Sequence, residues 1–181
     1  MNLWFRLLKV LIVGLFRRRL SMTEASLLRF RVWPNDLDIN VHMNNARYLA
    51  LMDLGRFDLI ARCGLWRPMI AKRWQAVIGG ALVRYRRPLR PFQRFQLVSR
   101  MLCWDDRWIY IEHRIEADGV TACLAVVRAA FLAGGGIVPP DQVARELGFA
   151  GAPPPVPTWA GEWRAVDGAA FDGAASLRAA E

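Results

Sequence analysis

One long helical repeat, beginning at Asn44 or Asn45 and running to about Arg62, is followed by four consecutive strand-length runs, and this order leaves few architectures open. The runs are residues 75–86, 92–103, 108–117 and 120–132, with "WDDR" and "ADG" supplying turns between the later ones. An earlier strand, residues 25–33, ends at Pro34, whose missing N–H stops a ladder. The class predicted is α+β, with the four later strands forming an antiparallel meander. On the helix, Ala46, Leu49, Ala50, Asp53, Phe57, Ile60 and Ala61 share an arc expected to be buried, with Arg47, Asp58 and Arg62 on the narrower polar side. "PPDQVAREL" predicts a short helix from Pro140 that stops near Gly148. The Pro-rich "AGAPPPVPTWAGEW" and the Ala/Gly-rich end read as an extended or partly disordered tail over 150–181, from which Trp159 and Trp163 are available to dock.

The organisation expected is therefore a segment 1–20, a domain 21–149 and the tail. A length of 181 residues and a 54% hydrophobic content suit one domain with a substantial core. The 25 basic residues, mostly arginine, outnumber 16 acidic ones, a balance that suits phosphates or an anionic surface. Without an aromatic-basic recognition motif, nucleic acid is not an expected partner. Cys63, Cys103 and Cys123 are far apart and only His42 and His113 are imidazoles, so no metal and no other cofactor is expected, and reduced thiols suit a cytoplasmic protein.

In "MNLWFRLLKVLIVGLFRRRL" the apolar run is far shorter than the roughly 20 residues that cross a bilayer. Wound as a helix, it places Asn2, Arg6, Lys9, Val13 and Arg17 on one stripe, with Trp4, Phe5, Leu8, Leu11, Ile12 and Leu15 over most of the rest. Such a helix either lies in an anionic membrane interface on the cytoplasmic face, with Arg17, Arg18 and Arg19 at the headgroups, or packs on its own domain or a partner subunit.

The loop before the long helix, "WPNDLDINVHMNNARY", carries the chemistry. First-turn amides have no intrahelical acceptor and carry partial positive charge, so a carbonyl placed there is polarised and its oxyanion stabilised. Asp38 is the candidate catalytic carboxylate, either as a base toward water or as a nucleophile forming a mixed anhydride. Loop and N-cap hydrogen bonding by Asp36, Asp38, Asn44 and Asn45 is the simpler alternative. Asp53 in an apolar arc needs a partner, and Arg56 one turn on supplies it, serving either structure or site. His42 has no identified nucleophile or metal partner. In "RYRRPLRPFQR", Arg86, Arg87 and Arg90 are candidates for separated phosphates, with a solvated strand edge as the alternative. Gly79 and Gly80 mark either close approach of an acyl group or a bulge.

These residues resemble the signature of hotdog-fold acyl-CoA thioesterases of the 4-hydroxybenzoyl-CoA thioesterase class: Asp36 and Asp38, His42, Asn44 and Asn45, Tyr48, then Asp53 and Arg56. "DLDINVHMNNARYLALMDLGR", "VRYRRPLRPFQRF" and "LCWDDRWIYIEHR" are similar to the thioesterase superfamily member six-like proteins. The resemblance implies a long helix wrapped by an antiparallel sheet and dimers with sites at the subunit interface, with dimer against tetramer left open. It also implies hydrolysis of acyl-CoA or another acyl thioester, with lipid-derived acyl groups the expected class. Asp38 maps to the catalytic carboxylate, the amides around Val41, His42 and Met43 to the carbonyl-binding region, and Tyr48 and Asp53 to helix positions near the pocket. Val41 stands where the broad family has glycine, which restricts the backbone there. A noncatalytic acyl-thioester or lipid-binding protein on the same scaffold is the alternative.

Overall fold

A computed structural model describes residues 3–178, with side chains through residue 170. In chain order its elements are α1 (Leu3–Phe16), β1 (Ser26–Arg31), α2 (Asn45–Cys63), α3 (Trp66–Ala71), β2 (Gln75–Tyr85), β3 (Arg94–Trp104), β4 (Ile109–Ala117), β5 (Val120–Ala133), β6 (Gly136–Val138), α4 (Pro140–Glu146) and α5 (Thr158–Arg178). The alternating runs become strands within a residue or two of the expected limits. Asn2, expected on the first helix, lies outside the described residues.

The strands form one antiparallel sheet in the order β1-β3-β4-β5-β2, with β6 added to β5. The expected four-strand meander is corrected here: β3, β4 and β5 are a meander, but β2 pairs with β5. The connection 86–93, stiffened by Pro88 and Pro91, is no tight hairpin and carries the chain from the β2 edge to β3, beside the opposite edge strand β1.

Asn44 caps α2 by accepting from the Ala46 amide at 2.8 Å, and Gly64 ends the helix at φ 79°. The helix crosses β1, β3 and β4. Gly55 allows this approach, because a Cβ there would collide with Ser99 Oγ on β3. The buried face is Tyr48, Leu51, Met52, Leu54, Gly55, Asp58, Leu59 and Arg62. This inverts the arc expected from sequence, since Leu49, Asp53 and Phe57 are exposed. Asp58 is tolerated inside because Ser26 Oγ donates to it at 2.5 Å and Arg62 at 3.3 Å, with Arg17 3.7 Å away.

Helix α1 packs on α2 with Gly14 at the contact, 3.7 Å from the Ala61 Cβ when a Cβ is built on it. Its arginines also serve the open edge of the sheet: Arg6 donates to the Arg31 carbonyl at 3.3 Å and Arg17 to the Leu27 carbonyl at 3.0 Å, satisfying acceptors that β1 presents to no strand. Trp4, Phe5, Leu8, Leu15 and Phe16 point outward.

Of the C-terminal segment expected to be extended or partly disordered, residues 150–157 are non-helical and Thr158–Arg178 form the helix α5. Trp159, Ala160 and Trp163, on one side of its first turns, dock on Tyr110 and Cys103 of the outer sheet face. Arg128 is stacked between Trp108 and Trp163, 5.0 Å from each ring, donates to the Gly79 carbonyl and pairs with Asp167. Gly79 and Gly80 coincide with a register shift in β2 and lie against Trp108 and Trp163, so they mark a bulge under covering aromatics.

Candidate active site

The polar loop folds on itself before α2. Trp33 is extended and Pro34 opens a short helical turn ending at Asp36. Asp36 is buried: it accepts from the Trp33 amide at 2.9 Å and from Arg6 of α1 at 2.5 Å, with Arg47 Nε 3.6 Å away. The first aspartate of the pair is thus the bolt between loop and terminal helix, and charge-assisted hydrogen bonds hold it.

Asp38 is half-buried and differently used. Its Oδ1 accepts from the Asn40 amide at 2.8 Å and lies 3.4 Å from the His42 amide, a local turn of the kind aspartate favours. Its Oδ2 accepts no hydrogen bond from the described residues. The Asp38 N–H donates to the His42 carbonyl at 2.9 Å and Leu37 bridges Met43, which folds the Asp38 segment back beside the start of α2; burial pushes the Tyr48 phenol there up to about 12. Tyr48 Oη accepts from the Leu89 amide at 3.2 Å, and the Tyr85 ring stands edge-on to Tyr48 at 5.3 Å, its hydroxyl donating to the Asn45 carbonyl.

The amides expected to face substrate divide into two groups. Val41 N–H bonds the Asp38 carbonyl at 3.0 Å, Met43 N–H the Leu89 carbonyl at 2.9 Å and Asn44 N–H the Asp36 carbonyl at 2.8 Å, so these three are spent inside the loop. Val41 and Met43, expected in the carbonyl-binding region, thus have N–H groups already bonded within the chain. Asn45 N–H, at the first position of α2, finds no acceptor among the described residues. The His42 amide makes only a long contact to Asp38 Oδ1, its carbonyl accepts from the Asp38 N–H at 2.9 Å, and its ring makes no hydrogen bond among the described residues.

Val41 adopts φ 59°, the left-handed region that glycine occupies without strain and a β-branched residue rarely enters. Its side chain is 57% exposed, so within one chain it leaves the interior uncrowded.

The connection 86–93 borders this loop through the Met43–Leu89 and Tyr48–Leu89 bonds. Arg86 and Arg87 are fixed by their backbone amides to the Ala122 carbonyl and Arg90 by its amide to Gln93, while their guanidinium groups are exposed and unpaired among the described residues.

Asp53 stands away from Asp38, half-exposed, paired with Arg56 on the rim of a second feature. There a cavity of about 210 Å³ lies between α2 and the sheet, walled by Phe57, Ile60, Ile78, Ile109 and Phe131. Arg56 continues inward to His113 Nε2 at 3.2 Å, and His113 Nδ1 lies 2.8 Å from Ser99 Oγ. Burial, with the Arg56 charge, holds His113 down at about 3 and therefore neutral, so Arg56 donates to Nε2 and Nδ1–H donates to Ser99. Burial also lowers Arg56 to about 10. Sequence reasoning passed over Ser99 and His113, although alternation in "YIEHRI" puts His113 on the same face as Ile111 and Ile115.

Burial raises the Cys63 and Cys103 thiols to about 11 and Cys123 to about 12, which leaves no ready thiolate at neutral pH. Among the described residues no group of His, Cys, Asp and Glu is placed to hold a metal ion.

A curved antiparallel sheet around one long helix, with a polar loop at that helix's start, defines a hotdog-fold protein of the thioesterase type. Solved structures agree on the fold. The probable thioesterase YbaW from Escherichia coli superposes with a TM-score of 0.63 at 20% identity over 68% of this chain and 96% of its own. The BH1999 gentisyl-coenzyme A thioesterase does so at 0.59 and 17% over 66% and 99%. The pattern of the Thioesterase-like superfamily matches residues 32–163, and the chain belongs to that family. Among curated relatives it is 36% identical over 132 residues to Protein THEM6 of Xenopus laevis and 35% identical over 115 residues to Protein THEM6 of Drosophila melanogaster. The match spans 68% and 62% of this chain but only 63% and 60% of those proteins.

Proposed function

We propose that the chain hydrolyses an acyl-CoA thioester to a carboxylate and free CoA, with Asp38 as the catalytic carboxylate. The observation that carries this is the division of labour at Asp38: among the described residues Oδ1 is tied to the loop while Oδ2 accepts nothing, beside a helix start whose Asn45 N–H finds no acceptor. In the base reading, Oδ2 takes a proton from water as the oxygen attacks the carbonyl carbon. The oxyanion forms against Asn45 N–H and the helix dipole, and the C–S bond then breaks to release the thiolate, which is protonated. In the nucleophilic reading the same oxygen forms an anhydride that water cleaves. The exposed Arg86, Arg87 and Arg90 beside the loop suit the phosphates of CoA, and the apolar cavity past Asp53 suits a lipid-derived acyl group.

The assembly proposed is a homodimer. β2 leaves one edge unpaired along its whole length, with Ile78 and Leu82 each 46% exposed, and Leu49 and Phe57 of α2 are exposed as well. A second copy pairing there covers all four. With α5 seated on the outer face, a tetramer built on that face would have to displace it, which favours the dimer. Peripheral attachment to an anionic membrane on the cytoplasmic side completes the reading; no described helix is long and apolar enough to cross a membrane.

Thiol release from short, medium, long and aromatic acyl-CoAs tests the chemistry. Asp38→Asn is expected to reduce kcat by at least about a hundredfold with little change in KM, and an unchanged rate removes Asp38 from catalysis. The noncatalytic reading is favoured by one observation, the internal use of the Val41 and Met43 amides. Saturable acyl-CoA binding without turnover across the panel would establish it.

A further inference from the structure

An open groove of about 1070 Å³ separates α1 from the edge strand β1. Six basic residues line it, Arg6, Lys9, Arg17, Arg29, Arg31 and Arg94, against the acids Asp58, Glu116 and Asp118. The acids are engaged within the chain: Asp58 Oδ2 by Ser26 and Arg62, with Oδ1 buried and without a hydrogen bond, Glu116 by Gln96 and Arg114, Asp118 by Gln93. Four of the six cations are not. Lys9, Arg29, Arg31 and Arg94 make no side-chain hydrogen bond or ion pair among the described residues.

Register sharpens the point. Arg31 of β1 sits directly across from Arg94 of β3, with Arg29 two residues along the same face. Like charges opposite one another destabilise a sheet, so this arrangement disfavours the free protein and favours whatever brings an anion to it. In the groove wall Arg6 is 1% exposed, and its Nε is a buried donor with no partner.

The groove also shares an edge with the outward apolar face of α1. At 100 degrees per residue, Lys9 falls between Phe5 and Phe16 on one side and Arg6, Val13 and Arg17 on the other. Trp4, Phe5, Leu15 and Phe16 are 66–85% exposed, an aromatic-rich surface with no covering element among the described residues. A bilayer under that face would bring its headgroups to the height of Lys9 and the mouth of the groove.

We propose that the groove between α1 and β1 binds the phosphate headgroup of an anionic phospholipid held in a bilayer on which the apolar face of α1 rests. Lys9, Arg29, Arg31 and Arg94 neutralise the phosphate, and Arg6 Nε supplies the inner donor. The proposal rests on the peripheral-membrane reading above, and its tests separate the two.

Flotation on phosphatidylcholine vesicles, with and without phosphatidylglycerol, is compared for the wild type, Arg31→Gln/Arg94→Gln and Leu8→Ser/Phe16→Ser. Binding of dihexanoyl phosphatidate below its micelle concentration, of CoA and of inorganic phosphate is measured by calorimetry on the same proteins. The wild type is expected to prefer anionic vesicles. The arginine pair variant is expected to lose that preference by roughly tenfold or more while keeping its neutral-vesicle binding, with thermal stability equal to or above that of the wild type because the like-charge pair is removed. The apolar-face variant is expected to lose flotation on both vesicles yet still bind soluble phosphatidate. An anionic preference unchanged in the arginine variant overturns the headgroup site and leaves membrane attachment standing. Absent wild-type flotation with intact phosphatidate binding overturns the bilayer part instead. If CoA displaces phosphatidate and the arginine variant loses both, the groove belongs to the coenzyme and the lipid assignment fails. Binding of inorganic phosphate as tight as phosphatidate likewise removes the lipid from the proposal.

Discussion

The two terminal helices hold to the same domain in opposite senses. α5 is fastened by its apolar side: Trp159, Ala160 and Trp163 go inward onto Tyr110, and Glu162, Arg164 and Ala165 face out. α1 seats Leu3, Leu7 and Val10 on the core and adds polar and glycine contacts, Arg6 on Asp36, Arg17 on the β1 edge and Gly14 on α2, yet leaves Trp4, Phe5, Leu8, Leu15 and Phe16 facing out. An amphipathic helix that buries its apolar side is complete within its own chain. One that buries its arginine and shows its aromatics leaves apolar surface for a second phase, and Arg6 ties that helix directly to the loop bearing Asp38.

The comparison is broken most severely at Arg6. Arg6→Met takes the short ion pair from the buried Asp36 carboxylate, leaving it Arg47 at 3.6 Å and the Trp33 amide, and is expected to cost about 3 kcal/mol in denaturant unfolding. Asp36→Asn added to it should recover a substantial part, because the loss is that of a poorly compensated buried charge. A pH series asks whether the core beneath α2 fails before either terminal helix. His113 is held near 3 when folded against an ordinary 6.5, so the unfolded chain binds the extra proton. Stability from this group is complete above about pH 6.5 and falls as pH drops toward about 3, by at most about 1.4 kcal/mol per pH unit. His113→Gln should flatten that limb of a stability-against-pH curve. Trp163→Ala, which removes one face of the Arg128 stack and half of the α5 contact with Tyr110, is expected to cost about 2 kcal/mol in the same unfolding measurement.

Smaller effects sharpen the contrast. Val41→Gly releases a left-handed β-branched residue in the loop that Arg6 secures, and a gain of about 1 kcal/mol is expected, offset in part by glycine's unfolded-state entropy. Thiol-release assays on the same variant show whether the relaxed loop also turns over faster. Phe5→Ser with Phe16→Ser is expected to change thermal stability by no more than about 0.5 kcal/mol, since neither ring packs in the chain. A large loss there would mean that the outward face of α1 is already covered in solution.

How far the sequence was readable varies with how local the deciding interaction is. Strand limits came through because alternation and turn residues such as "WDDR" and "ADG" act over a few positions. The start of α2 was legible for the same reason, since Asn44 caps the next turn of its own chain. The partner of β2 was not, because nothing within residues 75–85 records which edge of the sheet is free. The buried face of α2 was misread because Asp58 and Arg62 look like surface residues until Ser26, Arg17 and the neighbouring backbone arrive to satisfy them. In the candidate site, Asp38 and its loop were found from residue type and order. Which amides remain free was decided by Leu89 and Asp36, bonds made across the fold.

By itself the sequence determined the class of fold, the family and the loop in which a carboxylate meets a helix start, since each is written in short-range pattern and in residue type. Tertiary structure alone decided that Asp36 is a structural anchor while Asp38 keeps a free oxygen, that α1 turns its aromatics outward, and that Arg31 and Arg94 face each other across two strands. The physical reason is common to all three. Desolvation and charge pairing depend on which distant groups surround a side chain, and chain neighbours do not specify that.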